Sequence, residues 1–125
     1  MLFGRELERR LRAASSPVRS LLAHPGMAKT PLHDTYPSAG LRLATKAVAA
    51  FIARPVEQAA APILFAATAL QADPDTFIGP TGPRKHPKIE AVGFVGPAQD
   101  WGNARTLWAA SQQLSAVTYL NSEDR

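Results

Sequence analysis

Leu2, Phe3, Leu7, Leu11 and Ala14 recur at helical spacing, with Arg5, Glu8, Arg9 and Arg12 on the other faces. This pattern predicts an amphipathic helix over residues 1–14. Ser15-Ser16-Pro17 ends it, because the residue before a proline is driven out of the helical region. Val18 to Ala23 then reads as a short strand, closed by the breakers of His24-Pro25-Gly26. Residues 27–40 are rich in turn formers and predict a loop. Leu41, Ala44, Val48, Phe51 and Ile52 predict a second helix from Leu41 to Ala53, with that set as its buried face. Arg54-Pro55 breaks it. Pro55 suits the first position of a third helix, with Glu57 in its first turn. That helix should run to about Leu70, bury Ile63, Leu64 and Phe65, and kink or restart at Pro62. Asp73-Pro74-Asp75 is a turn and Thr76-Phe77-Ile78 a short strand. The Pro- and Gly-rich stretch 79–99 reads as an irregular arm. Asp100 is the expected N-cap of a last helix from Trp101 to about Leu114, with Trp101, Leu107, Trp108 and Leu114 on its apolar face. Phe77, Trp101 and Trp108 are expected in the core, and the tail from Asn121 is expected to fray.

Two short strands do not make a stable sheet, and a parallel strand such as Val18 to Ala23 needs partners on both sides. The elements therefore read as part of a larger α/β unit. With 125 residues, 46% of them hydrophobic, the chain is at most one domain of ordinary size. No apolar run reaches the roughly 18 residues needed to span a bilayer. The first ten residues carry acids and lack an apolar core segment, so they do not read as a signal peptide, and the expected compartment is the cytoplasm. There is no cysteine, which removes disulfides and thiolate chemistry.

Fourteen Lys and Arg against ten Asp and Glu give a net charge of +4. The basic residues are dispersed. Arg5, Arg9, Arg10 and Arg12 are interleaved with Glu6 and Glu8, as on a solvated helix face. Arg84, Lys85 and Lys88 lack interleaved aromatics for base stacking. A small basic nucleic-acid binder is thus the weakest of the readings, and no nucleic-acid partner is expected.

Neither a Gly-x-Gly-x-x-Gly nor a Walker loop is encoded, so no phosphate-cradling loop is expected. His24, His33 and His86 are far apart and without a clustered acid, and read as turn and surface residues, not metal ligands. There is no Gly-x-Ser-x-Gly elbow. Neither Tyr36 nor Tyr119 has a Lys four residues later.

The first helix followed by Ser16-Pro-Val-Arg-Ser-Leu-Leu-Ala-His-Pro-Gly-Met-Ala-Lys-Thr30 resembles the short-chain dehydrogenases/reductases. The closer likeness is to their retinol dehydrogenase-like and protochlorophyllide reductase-like branch. Arg54 to Thr68 looks like that family's long helix before its last strand. Phe77-Ile-Gly-Pro80 looks like its seventh-strand motif, and Arg105-Thr-Leu-Trp108 with Ser111 like its closing helix. The resemblance covers nearly all of this chain but only the C-terminal part of the family's domain. It implies an α/β fold, the C-terminal portion of a Rossmann-like doubly wound parallel sheet that is helix-rich here, with the nucleotide-binding half missing.

What the resemblance implies for function follows. In the intact family, a Tyr and a Lys of a Tyr-x-x-x-Lys motif handle the proton while hydride moves to or from a nicotinamide. That motif and the Gly-rich loop would lie upstream of Met1, so no catalytic residue is expected in the chain. Half of an NAD or NADP pocket would remain. Pro25 and Gly26 would turn the backbone under the nicotinamide, and Thr30 would hydrogen-bond the cofactor. Met27 to Gly40 with the helix to Ala53 matches the substrate lid in position, with Lys29, Pro31, His33, Tyr36 and Pro37 in it. The chain is then a truncated NAD(P)-dependent alcohol/carbonyl oxidoreductase without independent catalysis or bound cofactor. The alternative is a non-catalytic interaction module that docks on full-length relatives. In either case helices 41–70 and the arm 79–97 could pack on a second subunit, in a homo-oligomer or against a full-length relative.

Overall fold

The computed structural model describes residues 1–30, 38–83 and 88–120. Their order is α1 (Leu2–Ala13), β1 (Leu22–Ala23), α2 (Ala39–Ile52), α3 (Val56–Thr68), β2 (Thr76–Thr81), β3 (Lys88–Gly93) and α4 (Trp101–Ser115), with a short 3-10 turn at Gly96–Gln99 before α4. The strands form a mixed sheet in the order β1-β2-β3. β2 and β3 are joined by too few residues for a crossover, so this neighbouring pair is antiparallel. The fold is thus a small mixed α/β arrangement. No helix among the described residues is long and apolar enough to cross a membrane.

Helix ends follow local chemistry. α1 closes with Ser15 in the left-handed region at φ 53° and with the Ser16 amide donating to the Leu11 carbonyl at 2.9 Å. This is the wrap that satisfies last-turn carbonyls. The Asp100 side chain accepts from the Asn103 amide at 3.0 Å, so α4 starts where its cap predicts.

Several expectations are corrected. The strand read over Val18 to Ala23 shortens to Leu22–Ala23. Pro55 is the N-cap of α3 and not its first helical residue. α3 runs through Pro62 without a restart. Pro62 is fully buried, and this packing offsets the hydrogen bond that a helix-interior proline forfeits. The arm 79–99 is not irregular, because β2 extends to Thr81 and β3 and the 3-10 turn lie within it. Every residue of β3 is exposed, so no buried face imposes an alternating pattern that a reader could find.

By its contacts the chain divides into two compact units. One comprises Met1–Leu22, Gln71–Phe77 and Val92–Arg125, the other Ala23–Leu70 and Ile78–Ala91. In the first, α1 packs on α4 around Leu11, Phe94, Ala98, Ala104 and Trp108. Phe3 stacks on Trp108 with ring centroids 4.8 Å apart. Trp101 departs from the expected core: it is 37% exposed and its ring lies under the Arg5 guanidinium at 4.1 Å. In the second unit the buried residues are small or strand-borne: Ala53, Ala59, Pro62, Ala66 and Ile78. Ile63 and Leu64, expected inside, are exposed, and α2 has no buried residue at all.

Candidate functional site

The turn after β1 is held by backbone and glycine geometry within the second unit. The His24 amide donates to the Ile78 carbonyl at 2.9 Å, which fixes the end of β1 against β2. The Gly26 amide donates to His24 Nδ1 at 3.1 Å. An Nδ1 that accepts cannot carry the proton, so the neutral ring is protonated on Nε2. Gly26 has φ 69°, a conformation that L side chains rarely adopt. A Cβ there would come 2.9 Å from Pro80 Cγ, and a Cβ on Gly79 would run into the His24 ring. Pro25-Gly26 and Gly79-Pro80 are therefore matched across the two strand ends. Pro25 is half-buried.

Beyond the turn, Ala28 forms a parallel bridge with Arg54. The Arg54 amide donates to the Met27 carbonyl at 2.8 Å and the Lys29 amide to the Arg54 carbonyl at 2.9 Å. The Arg54 side chain reaches the end of β2, where Nη2 donates to the Gly82 carbonyl at 2.9 Å. Arg54 thus ties the loop after Gly26 to the β2 terminus. Thr30 follows, exposed to solvent. Pro25, Gly26 and Thr30 accordingly share one short loop at the carboxyl end of β1, the place where ligands bind in open α/β sheets. Pro31, His33, Tyr36 and Pro37 of the expected lid, and His86, Arg84 and Lys85, lie outside the described residues.

The sequence marks Arg54 as a helix breaker and as the start of the family-like long helix, but not as a tie between the loop and β2. The pairing with residues 27–29 spans more than twenty residues and leaves no local trace.

The first unit holds a dense cluster of ion pairs on α1. Glu6 is fully buried. Its carboxylate accepts from Arg9 Nε at 2.8 Å, Arg9 Nη2 at 2.7 Å and Arg10 Nε at 2.8 Å. The Arg9 hydrogen bonds, aided by Arg10, outweigh desolvation and hold the Glu6 carboxyl below its ordinary range. Burial pushes the Glu8 carboxyl up. The Ser20 amide at 2.6 Å, Arg19 Nε at 2.8 Å and Arg12 Nε at 2.9 Å together push it down further, so it too is lowered. The solvated helix face read from this stretch is thus corrected: the two acids are inside, clamped by four arginines. The signal was present in the Glu6-Arg9, Glu6-Arg10 and Glu8-Arg12 spacings of three and four residues. These contacts staple α1 to residues 19–20 and offer no carboxylate free for chemistry.

No family model matches the chain, and no curated protein matches it. Among solved structures the chain is similar to an uncharacterized protein from Mycobacterium Paratuberculosis, at 32% identity and a TM-score of 0.60. The match covers 94% of this chain and 36% of that one, so the chain spans about a third of the length of the structure it matches.

Proposed function

We propose that this chain is the C-terminal part of a short-chain dehydrogenase/reductase fold and carries the loop half of a pocket for NAD or NADP. The fold would serve oxidation or reduction of an alcohol/carbonyl pair. Pro25 and Gly26 would turn beneath the nicotinamide, and the Thr30 hydroxyl would hydrogen-bond the cofactor. The observation that carries this reading is the Gly26 turn, at φ 69° and packed on Pro80 at the carboxyl end of β1. Such a turn brings backbone close to a ligand without a Cβ between them. The mixed α/β order is compatible with it.

The residues present fit only half of a dinucleotide site. They supply a turn and a hydroxyl but no Gly-rich loop at a helix N-terminus for the pyrophosphate. When bound, the cofactor would supply the hydride chemistry. This chain's own residues would position its nicotinamide end and move no proton, because the sequence has no Tyr-x-x-x-Lys. Titration calorimetry of the chain with NADH and NADPH tests the reading. Binding is expected to be absent or very weak, and a dissociation constant in the low micromolar range would contradict it.

A second reading is favoured by one observation. α2 exposes Leu41, Leu43, Val48, Phe51 and Ile52, with Phe51 82% exposed. A non-catalytic module that docks on a full-length relative or on another copy would use such a face. Light scattering over a concentration series distinguishes the two: a chain that stays monomeric alone and does not bind a full-length relative disfavours docking.

A further inference from the structure

The Gly26 turn is closed by an acceptor that one proton removes. His24 Nδ1 accepts from the amide two residues on, at 3.1 Å. An Asn or Asp side chain makes the same bond in an Asx-turn. An imidazolium carries donors on both nitrogens and has no acceptor left. Turning the ring over does not restore the bond, because it exchanges Nδ1 for Cδ2 at the Gly26 amide. The half-buried ring also has a fixed seat. It occupies the space over Gly79, where an added Cβ would overlap Nε2, Cδ2 and Cε1, and the His24 amide is bound to the Ile78 carbonyl. All of these residues lie in the second unit. β2, against which the ring sits, carries no ionisable side chain. The charged groups around the turn are Lys29 and Arg54 on the loop beyond it, the latter bound to the Gly82 carbonyl, and Glu57 and Lys88 of the cavity that Pro80 lines. Histidine is the side chain that ordinarily changes charge between pH 5 and 8, whereas glutamate, lysine and arginine ordinarily do not.

We propose that His24 is a proton-operated latch on the loop from Pro25 to Thr30. With the proton on Nε2 alone, the Gly26 amide is bound and the turn is held. With Nδ1 protonated as well, one N–H faces another and the turn is released. Loss of one neutral hydrogen bond shifts the balance from held to released by roughly 2- to 13-fold. What the latch controls rests on the cofactor reading above: acid would loosen the backbone that turns beneath the nicotinamide.

The test is NMR of the 125-residue chain between pH 5 and 8, following the His24 ring nitrogens and the Gly26 amide. No cofactor is present, so failure of the latch and failure of the cofactor reading are separate results. At the high-pH end Nδ1 is expected to show the resonance of an unprotonated nitrogen. The Gly26 amide is expected to move with the same midpoint as the ring, and its protection from hydrogen exchange to fall by roughly 2- to 13-fold on the acid side. In His24→Asn the side chain still accepts from the Gly26 amide but does not titrate, so that amide should stay protected and unresponsive across the range. A variant with both His33→Gln and His86→Gln should respond as the native chain does. A ring that carries its high-pH proton on Nδ1 overturns the latch. So does a Gly26 amide that is silent or follows a different midpoint from the His24 ring, a native-sized response in His24→Asn, or loss of the response in the His33→Gln, His86→Gln variant.

Discussion

Glu6 and Glu8 show how one side chain can decide the fate of a helix. Each carboxylate is buried, Glu6 against arginines alone and Glu8 against Arg12, Arg19 and the Ser20 amide, so neutralising either leaves arginines facing an acceptor that no longer carries charge. Glu6→Gln is expected to destabilise by about 1–3 kcal/mol, read by thermal or urea unfolding. The pH dependence follows from the direction of the shifts. Both carboxyls are lowered on folding, so their contribution is fully present above the ordinary glutamate value of about 4.3 and is lost as pH falls through the folded values below it. Melting temperature should therefore fall as pH drops from about 5 toward 3, and the fall should be shallower in Glu8→Gln. An equal acid dependence in the two proteins would show that the Ser20 and Arg19 contacts contribute nothing. Gly26 is the other residue on which much rests. Gly26→Ala must hold φ 69° and meet Pro80 Cγ, so a loss of about 1–2 kcal/mol is expected, and unchanged stability would mean that the turn relaxes freely.

At the scale of elements, legibility in the sequence followed local rules. The extents of α1 and α4 were readable because periodicity and capping are local: Leu11 and Trp108 are buried where the pattern puts them and Asp100 caps α4, whereas Leu107 and Leu114, expected on the buried face of α4, are exposed. The Pro25-Gly26 turn was readable for the same reason. β3 was not, because an exposed strand is defined by its partner and has no buried face of its own. Arg54 was not, because its partners lie at residues 27–29 and 82. α2 was found, but its burial was misread: amphipathicity shows which face is apolar and not whether anything in this chain covers it. Two expectations follow. Asp100→Ala should cost about 0.5–2 kcal/mol through loss of the cap at the Asn103 amide, measured by chemical unfolding. Phe51→Ser should change stability by no more than about 0.5 kcal/mol, since the ring has no cover. A large loss in a strictly monomeric Phe51→Ser sample would show that α2 packs after all.

For the whole molecule, the proposed function makes the loop from Pro25 to Thr30 one wall of a dinucleotide pocket and leaves the other to a Gly-rich loop that this sequence does not encode. Fusing the chain behind an N-terminal portion that carries a Gly-rich loop and a Tyr-x-x-x-Lys helix start should create a cofactor-binding protein. Thr30 is exposed in the present structure, whereas Leu22 on β1 rests against Gly4, where an added Cβ would come 2.8 Å from Leu22 Cδ2. The two positions should therefore separate binding from folding. The decisive measurement is NADH and NADPH affinity, together with the cofactor-free melt, for the fused protein and its Thr30→Val and Leu22→Ala variants. The account predicts that Thr30→Val weakens cofactor binding by roughly 2- to 13-fold, the equivalent of one neutral hydrogen bond, and leaves the melt unchanged. It predicts that Leu22→Ala lowers the melt through a loss of about 2 kcal/mol. A Thr30→Val variant that melts as low as Leu22→Ala and binds cofactor as tightly as the parent would contradict it.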